Sequence, residues 1–123
     1  MRILPFGCLL LVLPAFLGSL GCGSEDAALP PADLTIEVVN NKYTPADATI
    51  KPGQTVEWVF KQGVHDVASG TKTGPKTCVP DGKFQSELLS SGTFRHTFAA
   101  AGDYPYFCTP HCELNMVATI HVK

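Results

Sequence analysis

The sequence predicts an all-β domain, a sandwich or small barrel. Three observations carry that prediction. From Leu34 onward the hydrophobic residues recur with period two, and the runs are short and separated by Gly and Pro turns. No stretch has the helical period over a normal helix length. Short alternating runs between turn residues are the pattern of strands packed as layers around one core.

The elements follow in order. Leu34-Thr35-Ile36-Glu37-Val38-Val39 alternates and is rich in β-branched side chains, which suit a half-buried pleated surface. Ala48-Thr49-Ile50 runs into Lys51-Pro52-Gly53-Gln54, a turn signal, and Thr55-Val56-Glu57-Trp58-Val59-Phe60 alternates again. A Ser-Ser-Gly turn precedes Thr93-Phe94-Arg95-His96-Thr97-Phe98, and Gly102-Asp103 precedes Tyr104-Pro105-Tyr106-Phe107-Cys108. Val117-Ala118-Thr119-Ile120-His121-Val122 is the last strand. Between them, residues 70–82 read as the longest irregular stretch, with Gly74-Pro75 and Pro80-Asp81-Gly82 inside it. A loop of that length in a compact domain is expected to be functional or tethered. Internal repeats are absent.

The N-terminal part has a different composition. After Arg2, residues 3–20 are apolar and uncharged, are interrupted by Pro5 and Pro14, and end at Gly18-Ser19-Leu20-Gly21-Cys22. A charged start, an apolar run and small residues make a secretory signal, and Pro interruption argues against a membrane span. Leu20-Gly21-Cys22 resembles a bacterial lipoprotein signal, in which cleavage precedes Cys22 and its thiol takes the lipid; Ser19 stands where that family prefers a larger aliphatic residue. A plain signal cut near Gly21 is the alternative. The expected organisation is therefore a signal at 1–21, Cys22 with a polar tether to residue 33, and a domain at 34–123. The tether has a root-mean-square reach of roughly 20 Å. Gly23 stands where the resemblance to an inner-membrane retention signal would need Asp, so the expectation is a membrane-anchored lipoprotein on the periplasmic face, leaning toward the outer membrane where the host has one, with the sequence itself not deciding between the two membranes.

The five cysteines divide by elimination. Cys8 leaves with the signal, Cys22 takes lipid and Cys108 is assigned to metal, so Cys78 and Cys112 remain as an even pair. In an export compartment such a pair is expected as a disulfide. Charge excludes one class of partner. There are 9 basic and 11 acidic residues, and loss of Arg2 leaves 8 against 11, a net charge of −3 with His neutral. Nothing resembles a basic nucleic-acid-binding face. Lys72, Lys76 and Lys83 stand in or beside the irregular stretch, as scattered solvated lysines or as a docking patch for an acidic partner.

The chemistry concentrates in Cys108-Thr109-Pro110-His111-Cys112-Glu113-Leu114-Asn115-Met116. A thiolate, an imidazole and a thioether within nine residues suit copper, and two His with one Cys and a weak axial Met define the blue-copper electron-transfer site. The second imidazole has to come from elsewhere, and His65 is the candidate. Rival assignments explain less. Cys108-x3-Cys112 lacks the following His of a binuclear copper centre, and a structural zinc site leaves Met116 unexplained. A copper delivery or storage protein could use the same ligands, but delivery sites are usually Met-rich or His-rich and this chain has two Met. Cys108 beside His111 could imitate a nucleophile and its base, yet the spacing aims both at one centre. His96 is expected at the rim of the core, His121 towards solvent and Trp58 in the core.

With these residues in view, the region from Leu34 to Lys123 resembles the cupredoxins of the plastocyanin and pseudoazurin type. Tyr43-Thr44-Pro45 and Ile50-x-Pro52-Gly53-x-x-Val56-x-Trp58 are similar to that family's strands before the first His ligand. Phe98-x3-Gly102-x-Tyr104-x-Tyr106-x-Cys108 is similar to its approach to the Cys ligand. The resemblance implies a Greek-key β-sandwich, one copper at His65, Cys108, His111 and Met116, and one-electron transfer without catalysis. It also implies a monomer working with redox proteins such as a c-type cytochrome or a copper reductase. Two departures stand out. Asp66 replaces the Asn that usually follows the first His, and Cys78 with Cys112 resembles the disulfide of the phytocyanins.

Overall fold

The computed structural model describes residues 27–123. The expected signal at 1–21, the expected lipid-attachment residue Cys22 and the first part of the expected tether lie outside the described residues. Among the described residues, nine strands form two sheets. The first sheet holds β1 (Leu34–Val39), β2 (Lys42–Thr44), β4 (Thr55–Phe60) and β7 (Gly92–Thr97) in the order β2-β1-β4-β7. The second holds β3 (Asp47–Ile50), β5 (Ala68–Lys72), β6 (Cys78–Gln85), β8 (Gly102–Phe107) and β9 (Val117–Val122) in the order β3-β9-β8-β5-β6. Both sheets are mixed, because β1 pairs parallel to β4 and β3 pairs parallel to β9 while their other neighbours are antiparallel.

The alternation read from the sequence points the right residues inward. Ile36 and Val38 of β1, Val56, Trp58 and Phe60 of β4, and Ala118, Ile120 and Val122 of β9 are all buried and belong to one core. Each such large side chain contributes on the order of 1.5–3 kcal/mol by leaving water. Aromatic rings fill the middle. Trp58 packs on Phe84, Phe94 and Tyr106 at centroid distances of 5.9, 5.6 and 5.5 Å, and Tyr43 meets Tyr106 at 4.7 Å. Asn40 and Asn41, both at positive φ, make the two-residue turn that pairs Val39 with Lys42. Asn tolerates that left-handed conformation, and a turn of this hand matches the strand twist.

One expectation is corrected. Residues 70–82 are not an irregular loop: most of them are the β5–β6 hairpin, with Thr71 opposite Val79 and Lys72 opposite Cys78. Only residues 73–77 lie between the two strands. Gly and Pro disguised it. Pro80 is tolerated because β6 is the edge of its sheet. Gly70 is required by a close approach, since a Cβ there would lie 2.7 Å from Pro80 Cα and against the Val79 carbonyl oxygen. The two remaining histidines stand as read. The His96 ring packs on Phe84 and Phe98 at the core rim, and half-exposed His121 pairs with Asp103 through Nδ1 and Oδ1 at 2.6 Å.

Candidate metal centre

One end of the sandwich gathers the predicted donors. His65 sits on the β4–β5 connection, fixed as a bridge to Leu89: its amide donates to the Leu89 carbonyl at 3.0 Å, and the Leu89 amide donates back at 2.8 Å. Val67 and Ser86 extend this stitching through the Val67 amide to Ser86 Oγ and the Ser86 amide to the Val67 carbonyl, both at 2.9 Å. Behind the imidazole lies Gly63, at φ +80°, where a Cβ would come 2.6 Å from His65 Nε2. The ring is therefore backed by bare backbone, and Nδ1 points the other way.

Cys108 follows β8 directly, and Met116 precedes β9. The Cys108 amide donates to the Met116 carbonyl at 3.0 Å, so the two ends of the loop are bonded as the strands part. Between them Pro110 sits in a short 3-10 turn, Thr109–His111, and the Met116 amide donates back to the His111 carbonyl at 3.3 Å. Cys108, His65 and Met116 are buried, whereas His111 is half-buried at the surface.

Three donor atoms converge. His65 Nδ1 and His111 Nδ1 are 3.1 Å apart, and Cys108 Sγ lies 3.7 and 3.3 Å from them. A point equidistant from all three lies about 2.0 Å from each, the length of a metal–imidazole bond and slightly under a metal–thiolate bond. A proton shared between two nitrogens would not bring in the thiol as a third corner; a metal ion would. Two imidazoles and a thiolate, with a buried thioether at the end of the same loop, suit copper.

The surroundings tune these groups. Burial pushes the Cys108 thiol up to about 11 in the metal-free protein, with its hydrogen bond to the Asp66 backbone opposing. His65 is held below the ordinary imidazole value, first by burial and then by His111, against weaker support from the Gln62 backbone and Asp66. Asp66 ties the loops together. Its Oδ1 accepts from the Thr109 amide at 2.6 Å, and its backbone carbonyl accepts from the Tyr43 hydroxyl at 2.6 Å.

Cys78 and Cys112 are joined as a disulfide, spanning 34 residues and anchoring the residue after His111 to β6. The lysines do not make one free patch. Lys72 Nζ donates to the Cys112 carbonyl at 2.8 Å, Lys76 pairs with Glu113 at 3.5 Å, and Lys83 pairs with Asp81 at 3.6 Å. The sequence reading gave Gly63 no role, and it read Lys72 as solvated or as part of a docking patch. Gly63 carried only a turn signal, and nothing near Lys72 in sequence points to residues forty positions away.

Comparison with known proteins agrees with this chemistry. The family of copper-binding proteins of the plastocyanin/azurin type matches residues 32–123. Amicyanin from Paracoccus versutus is 38% identical over 88 residues, 69% of this chain and 63% of that protein. Plastocyanin from Nostoc punctiforme is 39% identical over 89 residues, 66% of this chain and 64% of that protein. The chain thus spans somewhat less than two thirds of the length of either relative. Among solved structures, a purple cupredoxin from Nitrosopumilus maritimus superposes with a TM-score of 0.60 at 25% identity, covering 74% of this chain and all of that one.

Proposed function

This chain belongs to the plastocyanin/azurin family of copper-binding proteins, and from that premise we propose that it is a one-electron carrier whose single copper is held by His65, Cys108, His111 and Met116. The convergence of the two Nδ1 atoms and the Cys108 sulfur carries this reading. When bound, copper supplies reversible one-electron chemistry between its +1 and +2 states. The protein's residues do the rest. Cys108 would give the thiolate, His65 and His111 the two imidazoles, and Met116 a weaker thioether contact. The Asp66 to Thr109 hydrogen bond, the His65–Leu89 bridge and the disulfide hold the donors still, so that a change of charge requires little rearrangement.

Half-buried His111 is the exit edge for the electron; exposed Val64 and Pro110 adjoin the two histidines in the chain, and exposed Leu114 follows His111 by three residues. They supply a small apolar face for brief docking of a redox protein, such as a c-type cytochrome or a copper reductase. Export and a lipid on Cys22 complete the proposal, resting on Leu20-Gly21-Cys22 and on a disulfide that suits an oxidising compartment. Burial of Cys108 and Met116 weighs against the alternative of copper delivery or storage, which needs accessible ligands.

The test is visible absorption and electron spin resonance of the Cu(II)-loaded protein. An intense thiolate-to-copper band with narrow hyperfine splitting is expected. A pale copper complex, or preference for zinc, would remove the electron-carrier reading.

A further inference from the structure

The turn that separates His111 from Met116 is held from outside by a lysine. Residues 112–115 form this turn, closed by the Asn115 amide donating to the Cys112 carbonyl at 3.1 Å. Asn115 sits at φ +59°, in the left-handed region, just before Met116. The Lys72 ammonium reaches across from the end of β5 and bonds both ends of the turn, the Cys112 carbonyl at 2.8 Å and Asn115 Oδ1 at 3.3 Å. Among the described residues no carboxylate pairs with Lys72, so its charge is directed wholly at this loop.

We propose that Lys72 is a positioning residue for the metal site, pinning the Cys112–Asn115 turn and so setting His111 and Met116 relative to each other. The assignment of those two residues rests on the reading above; the pinning itself does not. The β5–β6 hairpin holds the turn covalently at Cys112 through Cys78, by an exposed ion pair from Lys76 to Glu113, and at both ends through Lys72. The disulfide fixes only the first residue of the turn. The conformation of Asn115, and with it the direction from which the chain enters Met116, is governed by the ammonium. Hydrogen bonds from a charged donor are stronger than neutral ones, and a carbonyl oxygen has room for two donors. A fixed positive charge beside the loop also favours the state of the site with one more electron.

Lys72→Met tests this, because it retains the apolar stem and removes the charge and the donors. Lys76→Met is the comparison: it removes the other lysine that meets this turn, an ion pair to the exposed Glu113 side chain from a lysine that is 80% exposed, and such exposed pairs are worth little. In the metal-free protein, amide hydrogen exchange at Asn115 is expected to quicken roughly tenfold in Lys72→Met, the factor for losing one charge-assisted hydrogen bond. Lys76→Met is expected to leave it unchanged. In the copper-loaded protein, Lys72→Met is expected to lower the reduction potential and shift the thiolate-to-copper band, with Lys76→Met close to the parent in both. Unchanged Asn115 exchange in Lys72→Met, or equal shifts in both variants, overturns the proposal. The exchange measurement needs no copper, so a parent protein that fails to form a blue site would refute the carrier reading and leave the pinning decided on its own.

Discussion

Asp66 Oδ1 accepts a hydrogen bond from the Thr109 amide at 2.6 Å, joining the residue after His65 to the residue after Cys108. Two donors separated by 43 positions are thus locked through their immediate neighbours. Asp66→Ala removes the acceptor and is expected to cost about 1.5–3 kcal/mol, the usual range for a hydrogen bond to a charged group. Asp66→Asn keeps an acceptor but loses the negative charge. It is expected to lose little stability and to raise the reduction potential, since a nearby anion favours the more positive metal state. Chemical denaturation and voltammetry of both variants check this; a potential unmoved in Asp66→Asn would mean the charge is screened from the site.

Gly63 works from behind His65. Any side chain there meets the imidazole Nε2 at 2.6 Å, and the backbone is left-handed at φ +80°. Gly63→Ala is therefore expected to displace the ring towards the other donors while the sandwich remains folded. The expected outcome is weaker copper binding and an altered copper spectrum, with the far-ultraviolet circular dichroism unchanged. An unaltered spectrum would show that the loop absorbs the methyl group elsewhere.

Some of this architecture could be read from residues and some could not, for physical reasons. β1, β4 and β9 are legible because each buries one face, so period two is written into the order of side chains. β6 is not, because it is an exposed edge strand whose Pro80 and Gly82 look like turn residues. β2 has three residues, too few for any period, although Asn40-Asn41 before it is a hairpin signal. The donors were legible because soft ligands are rare and cluster after β8. Lys72 and Gly63 were not, because their roles depend on what folds against them and not on their own chemistry.

The Cys78–Cys112 bridge closes 34 residues of chain. In the chain-entropy account a loop of that size is worth about 4 kcal/mol. The double variant Cys78→Ala/Cys112→Ala is expected to lose stability of that order, measured in the metal-free protein by urea denaturation. Because the bridge anchors the residue after His111, copper release is also expected to quicken. A full loss of stability with unchanged release would separate the brace on the fold from any brace on the site.

Metal uptake has to remove a proton from Cys108. Burial raises that thiol to about 11, so the metal-free protein keeps it protonated at neutral pH, while the ligand is the thiolate. The sign follows for both equilibria. For folding without metal, the folded thiol holds its proton to higher pH than the unfolded one, whose value is 9.0, so this group contributes nothing near neutrality and destabilises the fold increasingly as pH rises from 9.0 towards about 11. For binding, each ion displaces the Cys108 proton, so the apparent affinity is expected to rise about tenfold per pH unit across the neutral range. His65 lies below the ordinary imidazole value, so it adds to this slope only in more acidic solution. Competition with a chelator for Co(II), which does not oxidise the thiol, measures the slope between about pH 7 and 9. A flat profile would mean that Cys108 is already ionised without metal, and that the surrounding amides stabilise the thiolate more than burial opposes it.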